Sequence, residues 1–194
     1  MTTQALRAEE PPRKASRDDA LRLARRKYLA GERIRVSSMA QELGVNRVTL
    51  HRWVGTKDSL LVEVIWKLTE DSLVAAWDQL RDSPGPRVPA ILGRWLRDTL
   101  EQPGARKIAL THDEHFMRLM TLGSHNYQPR LVRTVRSYIA EDVAENRIRS
   151  TLSLDELAYA SVRIAESYHY LPTITGQPPD PDSAERVLRE LLRP

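Results

Sequence analysis

Six polar side chains that can donate hydrogen bonds lie close together in the first third of the chain. They are Asn46, Arg47, Thr49, His51, Arg52 and Lys57. Their chemistry is recognition: Arg can bind guanine O6 and N7, Asn suits adenine, and Thr can offer its methyl group to thymine. The segment therefore predicts a surface that reads the major groove of double-stranded DNA.

A helix-turn-helix presents such side chains to the groove on a helix held at a fixed angle. The preceding residues have the pattern of a helix-turn-helix, with Ala40 as the small residue where two helices cross and Gly44 in the turn, where a positive φ costs it little. Asn46 is a favourable N-cap for the second helix. The apolar anchors are Met39, Leu43, Val45, Leu50 and Trp53. The alternative is a helical hairpin with a polar outer face.

The composition bounds the class of protein. The chain has 194 residues, 41% hydrophobic and 29% charged, so we expect a globular protein with a hydrophobic core. It contains no cysteine, which excludes disulfides, thiolate zinc sites and cysteine nucleophiles. The N-terminus lacks the apolar segment of a secretory signal, and no stretch approaches the roughly 18 apolar residues of a membrane span. We therefore expect a cytoplasmic protein with no membrane partner.

Positive charge is concentrated near the N-terminus. Residues 1–57 hold 13 basic and 6 acidic side chains, a balance of +7, whereas residues 58–194 hold 17 basic and 20 acidic ones, a balance of −3. This distribution suggests that the N-terminal quarter meets a polyanion, although an ordinary solvated surface would also fit. Residues 1–15 are charged, have no periodicity and are predicted to form a disordered basic arm.

Apolar residues recur with helical spacing along most of the chain, and no alternating strand pattern is present. The spacing predicts an all-α fold of about nine helices. Ser16 is expected to cap the first helix, Gly31 to end it, Thr56 to cap a long helix over 57–81, and Ser153 to open a capping box with Glu156. Further helices are expected over about 87–101, 105–122, 129–149, 153–171 and 182–193.

The segment RVSSMAQELGVNRVTLHRWVGTKDSLL resembles the DNA-binding domain of TetR-family regulators. The resemblance covers roughly residues 16–65, and the length and order of helices agree over the rest. It implies a three-helix helix-turn-helix domain at 16–56 and a helical ligand-binding and dimerisation domain at 57–194. The stretch RIAESYHYLPTITGQPPDPDSAERVL resembles the ligand domain of QsdR-type regulators, which are linked to the degradation of lactone quorum signals.

The expected DNA contacts combine the polar residues with the family pattern. His51 stands where the family usually has a phosphate-contacting Tyr, and it can still donate; Val54 replaces a usual Phe. The usual Thr or Ser cap of the second helix is replaced near Arg35, so Ser37 is expected to cap a shorter helix. Lys57 would bind phosphate together with backbone N–H groups of the next helix. The predicted DNA-binding residues are Arg35, Ser37, Asn46, Arg47, Thr49, Leu50, His51, Arg52 and Lys57.

A homodimer is expected, because two recognition helices spaced along the duplex read a palindrome. Small residues on the helix at 153–171 would permit close approach of a partner helix. The alternative is an ordinary core helix within one chain, and the family resemblance favours the dimer. The predicted interface residues are Leu157, Ala158, Ser161, Ala165, Val187, Leu188 and Leu191.

The middle helices are expected to enclose an effector. The candidates give an apolar lining with a few polar groups, as ligand pockets have, although core packing is the alternative for each residue. The predicted ligand-binding residues are Trp95, His112, His115, Phe116, Leu119, Met120, Tyr127, Tyr168 and Tyr170.

Enzymatic chemistry is not predicted. His112 and His115 could chelate a metal from one helix face, but a third ligand is missing and the HExxH pattern is absent. The sequence also lacks a Gly-rich phosphate loop and a G-x-S-x-G elbow. We expect no cofactor, no metal and no catalytic residue.

The hypothesis from sequence is a ligand-responsive transcriptional repressor. It would bind a palindromic operator as a dimer and be released by a small, mostly apolar effector such as a γ-butyrolactone or an acyl-homoserine lactone. Two alternatives stay open: a helical small-molecule-binding or catalytic protein with a vestigial helix-turn-helix, and a DNA-binding regulator without a ligand.

Overall fold

The computed structural model describes residues 14–194, apart from the side chains of residues 108–113. This part of the chain is all-helical, as predicted. Its ten α-helices are α1 (Arg17–Leu29), α2 (Val36–Glu42), α3 (Arg47–Val54), α4 (Lys57–Gln79), α5 (Val88–Glu101), α6 (Pro103–Thr121), α7 (Tyr127–Ala144), α8 (Leu154–His169), α9 (Leu171–Ile174) and α10 (Pro181–Leu191). The predicted basic arm lies outside the described residues, except for its last two.

Two short elements were not predicted. A 3₁₀ turn at Gly123–His125 precedes α7, and the four-residue helix α9 follows α8. Each is about one turn long, which is too short to produce a periodic apolar pattern. No helix in the described ranges is both long and apolar enough to cross a membrane.

The helix ends follow the predicted capping residues. The Ser16 side chain accepts a hydrogen bond from the Asp19 N–H, and the Asp19 carboxylate accepts one from the Ser16 N–H, which forms a capping box at the start of α1. Ser153 and Glu156 form a second capping box at α8. Thr56 caps α4 through its side-chain oxygen. These local contacts satisfy N–H groups that a helix start leaves unpaired.

Three predicted helix ends are wrong. Ser37 lies inside α2 and does not cap it, because the backbone becomes helical directly after Arg35, whose side chain makes no capping hydrogen bond. Helix α7 begins before Pro129, because proline is tolerated in a first turn where its missing N–H has no partner to lose. The same helix stops short of residue 149, where Asn146 takes a positive φ of 58°.

The helices pack around one continuous apolar core. Helices α1, α2 and α3 pack on one another at the N-terminal end, and α1 and α3 also contact α4. At the other end, α8 lies between α7 and α10, while α5 packs against α4 and α10. Helix α4 is therefore shared by both groups.

Helix α4 carries buried residues along its whole length. Leu60 and Leu61 are buried near its start, and Leu73 and Ala76 are fully buried near its end. Its 23 residues span roughly 35 Å at 1.5 Å per residue. One rigid element thus has an end in each group of helices.

A buried ion pair joins the start of α5 to the end of α7. The Arg87 Nε donates to one Asp142 carboxylate oxygen at 2.6 Å, and the Arg87 backbone N–H donates to the other at 2.8 Å. The exposed fractions of the two side chains are 2% and 0%. The guanidinium also lies 3.9 Å from the centre of the Trp77 ring. This contact connects the loop after α4 to the body of the protein.

Replacing Asp142 with Asn tests this pair. In Asp142→Asn the buried guanidinium keeps only its 3.1 Å contact with the exposed Glu145 carboxylate, and we expect the free energy of unfolding to fall by about 3–5 kcal/mol. Urea unfolding followed by circular dichroism measures the loss. The control is Asp155→Asn, which removes the exposed partner of Arg136 and should cost less than about 1 kcal/mol. Equal losses in both variants would show that burial of the pair has no special effect.

Candidate DNA-binding surface and effector cavity

The turn between α2 and α3 fixes the recognition helix. Gly44 has a φ of 63°, a conformation that residues with a Cβ rarely adopt. The next N–H, of Val45, donates to the Ala40 carbonyl at 2.9 Å, which closes the turn. Met39 and Leu50 are fully buried between the two helices and α1. The predicted anchors thus hold α3 in one orientation.

Helix α3 presents one exposed face to solvent. Its exposed residues are Arg47, Val48, His51 and Arg52. At about 100° per residue they cover roughly 140° of the helix surface. No acidic residue occurs between positions 43 and 57. The face therefore combines positive charge and hydrogen-bond donors with one apolar group.

Val48 is the functional candidate that the sequence reasoning missed. Its side chain is 74% exposed, at the centre of the α3 face. A β-branched apolar residue two positions before an anchor looks like part of the core. The signal that could have found it is the helical spacing, which places it beside Arg47 and Arg52 and opposite Leu50.

The other predicted DNA contacts have different surroundings. Leu50 is fully buried, so its prediction as a DNA contact is wrong: it is an anchor only. Thr49 is half-buried at the edge of the face, and the Asn46 side-chain oxygen already accepts a backbone N–H of α3 at 2.8 Å. Arg35 and Ser37 are exposed at the start of α2.

Lys57 is exposed in the first turn of α4, where backbone N–H groups point out of the helix. Such a terminus favours an anion through its dipole and its free donors. Helix α1 supports this region, because the Arg17 Nε donates to the Trp53 carbonyl at 3.1 Å. The end of α3 and the start of α4 are therefore held against α1.

Five of the predicted effector residues line one internal cavity. They are Trp95, Phe116, Met120, Tyr127 and Tyr170. The cavity lies between α1, α4, α5, α6, α7 and α8, and its volume is about 20 Å³. That is room for about one water molecule. These five side chains therefore surround one cavity, and the space between them is small.

The remaining predicted effector residues do not line this cavity. Leu119 is buried but faces a different cleft. His115 is exposed on α6, where its Nε2 lies 3.4 Å from an Asp58 carboxylate oxygen. Tyr168 is half-buried outside the lining. These three predictions are wrong for the internal cavity, because the side chains leave their helices in other directions. His112 lies outside the described side chains.

The structure adds polar groups to the cavity wall. Thr69 on α4 shares a hydrogen bond of 2.8 Å with the Tyr127 hydroxyl. Asp98, Glu166 and His169 are among the other polar residues of the lining. Nothing in the local sequence pattern relates these residues, which come from helices far apart in the chain.

Two of the buried polar atoms in this wall lack a hydrogen-bond partner within the described part of the chain: the Trp95 Nε1 and the His169 Nδ1. The indole N–H can only donate, so it needs an acceptor. Burial lowers the pKa of His169 from 6.5 to about 4, which keeps the ring neutral at physiological pH. The wall therefore offers unused hydrogen-bonding capacity to a ligand.

The low pKa of His169 predicts a pH-dependent stability. The unfolded chain takes up this proton near pH 6.5, whereas the folded chain does so only near pH 4. The contribution of the neutral His169 ring to the free energy of unfolding is therefore fully present above pH 6.5 and is lost as the pH falls below it. This residue should contribute a loss of about 2 kcal/mol between pH 7.5 and pH 5.

The measurement is urea unfolding at both pH values. In His169→Gln the stability difference between the two should shrink by about 2 kcal/mol. The control, His51→Gln on the exposed face of α3, should keep the wild-type difference. An unchanged pH dependence in His169→Gln would contradict the assignment.

The predicted dimer residues are largely core residues of one chain. Leu157, Ala158, Ser161, Ala165 and Leu188 are buried within the single chain, at no more than 1% exposure, so none of them can reach a partner. The small residues permit close packing of α8 against its own neighbours. Of the predicted set, Val187 is 40% exposed and Leu191 half-buried.

Comparisons with known proteins agree with this architecture. Residues 85–193, more than half of the chain, match the family model described as the tetracyclin repressor-like C-terminal domain. No curated protein sequence matches the chain. Among solved structures, the transcriptional repressor QsdR from the TetR family of R. erythropolis is 29% identical, with a TM-score of 0.80 over 91% of this chain and 93% of that one.

Two further solved structures share the fold. A putative TetR-family transcriptional regulator from Rhodococcus sp. is 17% identical, with a TM-score of 0.56 over 89% of this chain and 93% of that chain. The multidrug binding protein EbrR, in complex with imidazole, is 21% identical, with a TM-score of 0.50 over 92% and 93%. At these identities the likeness concerns the fold alone.

An N-terminal helix-turn-helix followed by a larger helical body is an architecture of transcriptional regulators. This chain belongs to the TetR family of transcriptional regulators. The predicted family is thereby confirmed, and QsdR is among the structures that resemble the chain.

Proposed function

We propose that this chain is a ligand-responsive transcriptional repressor that binds a palindromic operator as a dimer. The exposed face of α3 carries the proposal, because it presents Arg47, His51 and Arg52 around Val48 with no acidic residue nearby. A basic helix face of this kind fits the major groove. In this proposal residues 16–56 form the DNA-binding domain and residues 57–194 the body.

The residues of this face would have different roles. Arg47 and Arg52 can reach guanine edges, and Val48 can contact a thymine methyl group. His51 and Lys57 would bind phosphates on either side and fix the register of the helix. Only the base-contacting group would carry sequence information.

Two substitutions separate these roles. Arg47→Ala should cost about 1–3 kcal/mol on the operator and relax base preference, while Lys57→Ala should weaken all DNA sequences alike and lower the salt slope by about one. Fluorescence anisotropy on operator and random duplexes, at several salt concentrations, measures both effects. Lys67→Ala, at an exposed position further along α4, is the control. Equal losses on operator and random DNA for both variants would refute the assignment.

Dimerisation would use the outer faces of α8 and α10. Tyr159 on α8 is 60% exposed and Val187 on α10 is 40% exposed, and these two helices pack side by side. Exposed apolar groups on neighbouring helices offer a surface for a second copy. A two-fold axis through this surface would present two α3 helices to the DNA.

The effector would bind in the internal cavity. Since the cavity holds only about 20 Å³, a ligand can enter only if the surrounding helices separate. Helix α4 supplies Ile65, Leu68, Thr69 and Ser72 to the wall and carries Lys57 at its other end. Binding would therefore select a different position of α4, and a coupling of about 3 kcal/mol would weaken operator binding about 150-fold.

A lactone is the first effector class to test. The C-terminal segment resembles QsdR-type regulators, and a lactone carbonyl would supply the acceptor that the Trp95 N–H lacks. In Trp95→Phe the cavity keeps an aromatic wall without the donor. We expect the effector concentration for half release to rise about three- to tenfold, with operator affinity unchanged.

The matched control is Trp66→Phe. Trp66 is also a buried aromatic residue, but it lies behind Tyr127 and does not line the cavity. It should leave the effector response as in the wild type. If both variants lost the effector response to the same extent, the cause would be general packing rather than the Trp95 N–H.

The experiment for the whole proposal is an electrophoretic mobility shift with the DNA upstream of the gene that encodes this chain. The complex is titrated with γ-butyrolactones and acyl-homoserine lactones. Specific binding released by a lactone would support the repressor and its effector class. Specific binding without release by any small molecule would favour the second candidate, a DNA-binding regulator without a ligand. The small volume of the internal cavity is the observation that favours this candidate. Absence of specific binding would overturn the repressor for this operator.

A further inference from the structure

A second cleft lies between the N-terminal helices and the body, apart from the internal cavity. Its volume is about 390 Å³, within the range of about 300–1,000 Å³ that small-molecule sites occupy. The walls come from the end of α1 and the following loop, the start of α4, and α6. No residue assigned to the α3 face lines it.

The floor of this cleft is apolar. It is formed by Tyr28, Ile34, Leu61, Phe116 and Leu119, all of which are buried. These side chains come from three separate segments, so their convergence is a product of the tertiary fold. Such a floor would bind a hydrocarbon chain or ring rather than a polar molecule.

The rim of the cleft is positively charged. Arg33, Lys57 and Lys107 line it, and His115 stands beside them. Among the lining residues that the structure describes, Glu32 is the acidic one, and it pairs with Lys27 at 3.3 Å. Within the described residues, Arg33 and Lys57 form no ion pair. The positive charge of the rim therefore favours the binding of an anion.

The cleft is also the place where α6 touches the N-terminal helices. The Lys107 Nζ donates to the Gly31 carbonyl at 2.7 Å. A Cβ added at Gly104 would lie 2.3 Å from the Tyr28 carbonyl oxygen, so only glycine permits this approach. A molecule bound beside these contacts would touch both parts of the protein.

We propose that this cleft binds an amphipathic carboxylate, with its apolar chain on the floor and its head group at Arg33 and Lys57. Arg presents a planar pair of donors that matches a carboxylate, and Lys adds a second positive charge. A bound carboxylate would engage Lys57, the residue assigned above to a DNA phosphate. It would lower operator affinity by direct competition as well as by holding α6 against α1; this consequence rests on the proposed function, while the binding itself does not.

Calorimetric titration of the full chain with octanoate tests the binding in the absence of DNA. We expect saturable binding, with 1-octanol (the same chain without charge) and acetate (the charge without a chain) each at least about tenfold weaker. Arg33→Gln combined with Lys57→Gln should weaken octanoate at least about tenfold. Both side chains are exposed, so the variant should fold as the wild type does.

The control variant is Arg26→Gln combined with Lys67→Gln, which removes the same charges from exposed positions of α1 and α4 outside the cleft. It should bind octanoate as the wild type does, and so should Trp95→Phe, which alters the internal cavity. The proposal is overturned if octanoate shows no saturable binding, if 1-octanol binds as tightly, or if either control loses as much as the cleft variant. None of these results depends on DNA binding, so they leave the repressor proposal to its own test.

Discussion

The structure depends on one constraint: α4 is a single rigid helix with buried residues at both ends. Leu60 near its start belongs to the core beneath the N-terminal helices, and Leu73 near its end belongs to the core of the body. A helix of 23 residues cannot bend sharply without a proline, glycine pair or insertion to break its hydrogen bonds, and α4 contains none of these residues. Any change in how the body packs around its far end therefore displaces the near end, where Lys57 stands.

The two ends of α4 are held by different kinds of contact. Beyond the far end, the buried pair of Arg87 and Asp142 fixes the following loop to α7, and a pair of this kind is costly to break once buried. Near the other end, the contacts between α4, α6 and the N-terminal helices include exposed groups such as His115 and Asp58. Exposed pairs contribute little, so the start of α4 is held chiefly by Leu60 and Leu61 in the core rather than by its contact with α6.

The close packing beside α4 limits how an effector could enter the internal cavity. A protein interior filled to this degree does not deform continuously, and a guest must move whole helices. The Trp95 N–H and the His169 ring leave hydrogen-bonding capacity unused in that wall, which is a cost that a suitable ligand would remove. In the proposed function, a small molecule that used this hydrogen-bonding capacity would have to move the same helices, and it would thereby shift the balance between two arrangements.

The local features could be predicted from the residues: the helix starts at Ser16, Thr56 and Ser153, the turn at Gly44 and the polar pattern of α3. Each of these depends on residues within one or two helical turns, so spacing along the chain suffices. The tertiary fold was needed to show that Ala158 and Ser161 face their own core while Tyr159 faces solvent, and that Val48 is exposed whereas Leu50 is too buried to contact DNA. It also decided the pairing of Arg87 with Asp142 across 55 residues and the small volume of the internal cavity. Burial depends on which distant segment covers a helix face, and periodicity shows that a face is apolar without showing what will cover it.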